Sequence, residues 1–198
     1  PISIAATVLA LVVGVPIGLF ATSGRVGDAV MRVVDAFAAL PIIVLAIVAI
    51  QLMGGGPANV ILAIAIVGAP RFVRLSRAAA LSLRSSRYVE AAVAIGCSPL
   101  RVAFNHVFRN AYGVVLVQAT LTAANALGTI AALNFLGVGV KPPTPSWGAM
   151  ISDGASMLIR GQWWAAAFPT LAMLLVIASF NVIAGAIENR IERVERAR

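Results

Sequence analysis

The residues that could carry out covalent or metal chemistry are few in this chain. It contains one histidine, His106, and one cysteine, Cys97. A metal site, or a nucleophile with its general base, needs several such groups in one constellation. The sequence also has no GxxxxGK[ST] loop, the motif that cradles nucleotide phosphates. We therefore predict that the chain has no catalytic residue, no metal ligand and no cofactor site of its own.

The longest stretch studded with polar residues is RYVEAAVAIGCSPLRVAFNHV, residues 87–107, which we call the lever. Its pattern predicts two short helices joined by an elbow. Gly96 stands where a left-handed residue ends a helix, and Ser98 stands where an N-cap begins the next one. Glu90 lies in the first turns of the first helix and supplies one charge that could pair with an arginine of a partner.

The elements that must hold the lever are membrane helices by composition. The 198 residues are 61% hydrophobic and 11% charged, with a mean hydropathy of +0.98, whereas soluble proteins carry about 25% charged residues. A helix needs about 20 apolar residues to cross a bilayer core of about 30 Å. Long uncharged runs, one of them interrupted by GGGP, therefore predict five spans. These lie near residues 2–22, 37–53, 58–75, 111–135 and 164–187.

The basic residues predict the orientation of these spans. If the chain crosses at each one, only Lys141 and Arg160 of the 15 basic residues lie on one side of the membrane. The positive-inside rule then places residues 76–110 and the C-terminus in the cytoplasm, and the loop 137–163 on the other face. The net charge of +8 is thus a topology signal rather than a nucleic-acid site. Because residue 1 lies almost inside a span, we expect further N-terminal sequence to precede it.

The predicted spans hold no ionisable group away from their ends, so they offer no proton or ion relay. Thr122, Asn125 and Thr129 recur at helical spacing and share one face of the fourth predicted span. Each could form hydrogen bonds between helices, as polar residues in membrane helices often do. As a stripe, they are better explained as the wall of a hydrated translocation pathway.

The outer loop, residues 137–163, is long enough to form structure of its own. Three prolines predict an extended approach, and Ser146 can cap a short helix from Trp147 to about Leu158. The prolines are Pro142, Pro143 and Pro145.

Three segments carry a resemblance to a known family. The sequence EAAVAIG, followed by HVFRN, resembles the EAA motif of permease subunits of ATP-binding-cassette importers. More narrowly, FLGVGVKPPTPSWGAMISDG and FPTLAMLLVIASFNVIAGAIENRIE resemble the dipeptide/oligopeptide importer permeases. The resemblance covers essentially residues 1–198. It implies a single permease domain, an all-α polytopic bundle of the type I importer type, whose usual sixth, N-terminal span is absent here.

The resemblance also implies partners and roles. The lever would dock into a cytoplasmic ATPase and the outer loop would contact a substrate-binding protein. A second homologous permease and two ATPase subunits or domains, which bind ATP-Mg, would complete the complex in a bacterial or archaeal plasma membrane. Membrane lipid is expected as a partner and nucleic acid is not. The coupling residues would be Glu90, Ala91, Ala92, Gly96, Ser98 and Arg101. The binding-protein contacts would be Pro142, Pro143, Pro145, Ser146 and Trp147.

The sequence departs from the family pattern at one position just beyond the lever. The family commonly has a proline just before the asparagine, whereas this chain reads Phe108-Arg109-Asn110. Proline removes a backbone donor and breaks helices. Without it, the second helix of the lever is predicted to continue into the next span.

Several functions are compatible with such a chain to different degrees. The resemblance implies half of a translocation pathway for di- or oligopeptides, with nickel or another small solute as an alternative cargo. A secondary transporter would need intramembrane ionisable groups and repeated halves, and neither is visible. A membrane scaffold would leave the glycine-elbowed lever unexplained.

Overall fold

The computed structural model of the protein describes residues 1–22, 24–84, 86–98, 101–140 and 143–196. No strand occurs in these ranges, which confirms the all-α prediction. The α-helices are α1 (Ile2–Phe20), α2 (Gly24–Ala39), α3 (Ile42–Met53), α4 (Pro57–Arg84), α5 (Arg87–Ala94), α6 (Arg109–Phe135), α7 (Trp147–Met157) and α8 (Trp164–Arg196). A π-helical segment, Val102–Phe108, precedes α6, and a 3-10 turn, Leu158–Arg160, follows α7.

Four helices, α1, α4, α6 and α8, are long and apolar enough to cross a membrane. They correspond to the first, third, fourth and fifth predicted spans. Two of them run beyond the predicted limits, since α4 continues to Arg84 and α8 to Arg196. The chain is therefore a polytopic helical membrane protein, as its composition predicted.

The second predicted span, residues 37–53, is not one continuous helix. The helix α3 has 12 residues, about 18 Å at 1.5 Å per residue, which is too short to cross the bilayer core alone. Residues 37–39 belong to α2, and the two helices meet at an angle of 100°. The break falls at Leu40 because the residue before Pro41 disfavours helical backbone angles. The described chain has five spans only if this bent pair counts as one.

The central contact of the bundle is the crossing of α1 and α4, where two glycines four residues apart remove side-chain bulk. A Cβ atom added to Gly14 would lie 2.8 Å from the Ala69 carbonyl oxygen, and one added to Gly18 would clash with the Val73 carbonyl oxygen. Small residues at this spacing let membrane helices approach through their backbones. The helix α1 is therefore held directly against the helix that leads into the lever.

Two ion pairs hold α2 against α4. Asp35 accepts a hydrogen bond from Arg74 at 2.8 Å, and Asp28 accepts one from Arg77 at 3.3 Å. The aspartates are largely exposed, so each pair contributes only about 0–1 kcal/mol. Their main consequence is to orient α2 across the same end of α4 from which the lever begins.

The short helix α7 packs between α6 and α8 through two glycines of its own. A Cβ atom on Gly148 would clash with the Ala131 carbonyl oxygen of α6. One on Gly154 would lie 2.5 Å from the Ala166 nitrogen and 2.6 Å from the Ala165 carbonyl carbon of α8. The loop between the last two spans is thus built into the end of the bundle.

Candidate functional site

The first helix of the lever, α5, divides into a buried and an exposed side. Val89 and Ala92 are each 4% exposed and pack toward the bundle. Glu90 and Ala91 lie on the exposed side, and Glu90 makes no ion pair within the described part of the chain. Of the three residues of the EAA motif, two face outward and the third anchors the helix.

An apolar strip runs along the exposed side of α5 and into the elbow. Tyr88 is 40% and Ile95 81% exposed, and Ala91 lies between them in sequence. Exposed apolar surface beside a charge is typical of a protein–protein contact. The spacing of Tyr88, Ala91 and Ile95 in the sequence is helical, but spacing alone does not determine which side of α5 faces outward.

The elbow has the geometry that the sequence predicted. Gly96 has a φ angle of +82°, and the Cys97 amide donates a hydrogen bond to the Ala92 carbonyl at 3.0 Å. This 6→1 bond closes a Schellman motif with glycine at its left-handed position. Ser98 then accepts a hydrogen bond from the Arg101 amide at 3.4 Å, as an N-cap does.

The second half of the lever continues into α6 without a break, which confirms the expectation for a chain with Arg109 in place of proline. The winding differs from the expected α-helix, since residues 102–108 are π-helical. Ala103 and Val107 are buried, whereas Arg101 lies on the exposed side. This π-helical segment also contacts α1, since the ring centroids of Phe104 and Phe20 lie 6.2 Å apart.

Replacing Gly96 should destabilise the elbow, and more so the less readily the new residue adopts a positive φ angle. A branched L-residue at positive φ costs about 1–2 kcal/mol, whereas asparagine tolerates this conformation best. We expect hydrogen exchange of the Cys97 amide to be about 5- to 30-fold faster in Gly96→Val than in wild type. Gly96→Asn should show a smaller change. Equal exchange in wild type and Gly96→Val would show that the elbow does not depend on this backbone conformation.

The predicted polar stripe of α6 divides between two environments. Asn125 and Thr129 line a groove of about 340 Å³ between α6 and α8, which also includes Ile43 of α3. We call this the α6–α8 groove. Thr122 is buried elsewhere, beside Gly68 of α4. Gln118 donates a hydrogen bond to its hydroxyl at 3.1 Å. The structure thus brings two of the three residues together.

The α6–α8 groove contains a further polar residue, Asn181 of α8, that the sequence reasoning missed. It lies in α8, a helix of whose apolar part few residues are buried. An isolated asparagine in a long apolar span was the signal available in the sequence. Its proximity to Asn125 depends on the antiparallel packing of α6 and α8.

The outer segment folds nearly as predicted. Ser146 accepts a hydrogen bond from the Ala149 amide at 3.2 Å and caps α7, which starts at Trp147. Pro143 and Pro145 are exposed, and Pro142 lies outside the described residues. Ser146 and Trp147 are half-buried over a cavity of about 410 Å³, so both also face the bundle.

Comparison with known proteins gives a family and a fold. Residues 10–193 match the family described as the binding-protein-dependent transport system inner membrane component. A chain of the MetNI methionine ABC transporter, solved in inward-facing conformations, superimposes with a TM-score of 0.69 at 19% identity. The match covers 94% of this chain and 91% of that one, so the two share a fold.

Curated relatives with sequence similarity are transport permeases by name. The chain is 36% identical over 193 residues to the di/tripeptide transport system permease protein DppC of Pseudomonas aeruginosa (strain UCBPP-PA14), covering 96% of this chain and 63% of the relative. It is 39% identical over 163 residues to the dipeptide permease DppC of Escherichia coli (strain K12), covering 82% and 54%. It is 34% identical over 198 residues to the glutathione permease GsiD of Escherichia coli O6:K15:H31 (strain 536 / UPEC), covering 96% and 65%.

The chain thus spans between about half and two thirds of the length of these relatives. The family match covers nearly the whole chain and includes the lever, the α6–α8 groove and α7. The chain belongs to the family of binding-protein-dependent transport system inner membrane components.

Proposed function

We propose that this chain is a permease subunit of an ATP-driven importer for di- or oligopeptides. It forms half of the translocation pathway, and a second homologous permease forms the other half. Two cytoplasmic ATPase subunits or domains bind and hydrolyse ATP-Mg, and a substrate-binding protein delivers the peptide. The chain is multi-pass and carries out no covalent chemistry.

The observation that carries the proposal is the exposed side of α5. The apolar strip at Tyr88, Ala91 and Ile95 lies beside the unpaired carboxylate of Glu90. An apolar strip with one charge matches a partner cleft that has an apolar floor and a basic rim. The continuous turn from Arg101 into α6 then links movement of the docked lever to a membrane-spanning helix.

The basic residues support a cytoplasmic position for the lever and the C-terminus. Arg71, Arg74 and Arg77 lie in the second half of α4, which leads into the lever, and further arginines lie near the end of α8. The positive-inside rule assigns this end to the cytoplasm. The capped helix α7 is then on the opposite face, where the exposed Pro143 and Pro145 are available to the binding protein.

The relatives favour peptides as the cargo. Their names specify di- and tripeptides, dipeptides and glutathione. The α6–α8 groove fits a neutral polar solute, because its walls carry amide and hydroxyl groups and no charged side chain among the described residues. The described lining of the groove has no carboxylate that would favour a metal cation, so it supports a peptide rather than nickel as the cargo.

The proposal is tested by reconstitution into liposomes with the second permease, the ATPases and the binding protein. We expect saturable uptake of a labelled dipeptide that requires both ATP and the binding protein. An ATPase in which the phosphate-binding lysine is replaced serves as the control and should abolish uptake. Peptide uptake driven by a proton or sodium gradient without ATP would contradict the proposal, and so would ATP-driven uptake of nickel but not of peptide.

A further inference from the structure

Two asparagines lie near the middle of neighbouring membrane-spanning helices and face the same space. Asn125 is on α6, Asn181 is on α8, and both are exposed in the α6–α8 groove. Thr129 lies one turn along from Asn125. Small residues, Ala124, Gly128 and Ala132, line the groove between these polar groups and keep it open.

Each asparagine is oriented by its own helix. The Asn125 side-chain amide donates a hydrogen bond to the Leu121 carbonyl at 2.9 Å, and that of Asn181 donates one to the Ile177 carbonyl at 3.0 Å. Because a carbonyl can only accept, these bonds fix which end of each side chain is nitrogen. Each side chain retains its amide oxygen and one N–H, for which the described residues provide no partner.

Exposed hydroxyls elsewhere in the described spans, unlike the two asparagines, have no unused hydrogen-bond donor. Thr120 donates to the Leu116 carbonyl and Ser179 to the Leu175 carbonyl, so each uses its only donor. Such groups can face lipid at little cost. A primary amide facing lipid would leave an N–H unsatisfied, which costs up to several kcal/mol in hydrocarbon. An amide in this groove is thus better satisfied by polar groups than by lipid, and the transport pathway of the proposed permease would supply such groups.

The remaining groups are chemically complementary to a peptide bond. An amide oxygen accepts from a peptide N–H, and a side-chain N–H donates to a peptide C=O. No carboxylate or basic side chain lines the groove among the described residues, so the contact does not depend on the charge of the solute's side chains. The lining thus suits peptides of varied sequence.

We propose that Asn125 and Asn181 form a transient binding site that hydrogen-bonds the backbone amide of a peptide in transit. This inference rests on the proposed function and adds the chemistry by which the pathway recognises its cargo. The Thr129 hydroxyl donates a hydrogen bond to the backbone carbonyl of Asn125 at 2.9 Å. The oxygen of this hydroxyl therefore offers one further acceptor to the same peptide.

The test uses the reconstituted complete transporter and two variants, Asn181→Leu and Asn125→Leu, in which the new side chain has the same number of heavy atoms and the same branching but no polar group. Loss of one neutral hydrogen bond, about 0.5–1.5 kcal/mol, should lower the efficiency of dipeptide uptake about 2- to 12-fold. The matched control is Ser179→Leu, which replaces a self-satisfied hydroxyl on the same helix and should leave uptake unchanged. Wild-type uptake by both asparagine variants would overturn the inference, although the proposed function would stand.

A second measurement keeps the inference testable if a variant fails to assemble. The wild-type transporter receives a dipeptide and its backbone N-methylated form, each preloaded on the binding protein. Methylation removes the N–H, so uptake of the methylated peptide should be slower by a similar factor. Asn181→Leu should reduce this difference. Equal uptake of both peptides by the wild type would overturn the inference, whereas failure to transport either peptide would overturn the proposed function itself.

Discussion

Replacing Glu90 by arginine is expected to abolish coupled uptake while leaving the chain inserted in the membrane. The carboxylate is exposed and makes no ion pair within the described residues, so the folded chain does not depend on it. At the proposed ATPase contact, reversal of its charge would place two positive groups together. Losing a close charge pair at an interface costs about 2–5 kcal/mol, so association with the ATPase should weaken at least about 30-fold.

Co-purification of the ATPase with the tagged permease measures this association, and uptake in liposomes measures coupling. Asp153→Arg makes the same change of charge in α7 and should leave co-purification at the wild-type level. Glu90→Gln removes the charge without reversing it and should give an intermediate result. Normal ATPase association and normal uptake in Glu90→Arg would exclude the docking role of the lever.

Replacing Gly18 by leucine is expected to lower the thermal stability of the bundle. Even a Cβ atom at this position would clash with the Val73 carbonyl and lie 2.8 Å from the Ser76 Cβ atom. A carbonyl oxygen and a Cβ atom cannot move without the backbone of α4, so the two helices must separate. Overpacking of this kind costs about 1–3 kcal/mol, and the crossing of α1 and α4 also includes the fully buried Phe72.

The thermal unfolding midpoint of the purified protein in detergent provides the measurement. The control is Gly185→Leu in α8, where an added Cβ atom meets nothing within 4 Å. Gly18→Leu should unfold at a clearly lower temperature than Gly185→Leu. If both variants unfold together, the close crossing of α1 and α4 is not what stabilises the bundle.

Local features of the lever and the outer helix could be predicted because neighbouring residues determine them. A Schellman ending needs only a glycine at the left-handed position, and Gly96 supplies it. The cap of α7 needs only a serine before a helical run, and Ser146 supplies it. The continuity of the lever with α6 follows from the absence of proline at Arg109.

Features that depend on contacts between distant segments were not predictable in this way. Helical spacing placed Thr122 and Asn125 on one face, but that face is divided because α4 packs against its Thr122 side. The exposed position of Ile95 depends on which side of α5 contacts the bundle. The meeting of Asn125 with Asn181 depends on the register of α6 against α8, which no single segment determines.

The sequence by itself therefore determined the membrane class, most of the spans, the glycine elbow and the family resemblance. These depend on composition, on charge distribution and on interactions between residues close in the chain. Only the tertiary structure decided that the second span is a bent pair, that Glu90 projects beside an apolar strip, and that two asparagines share a groove. These features arise from packing between helices, because whether a side chain is buried or exposed depends on the elements that surround it.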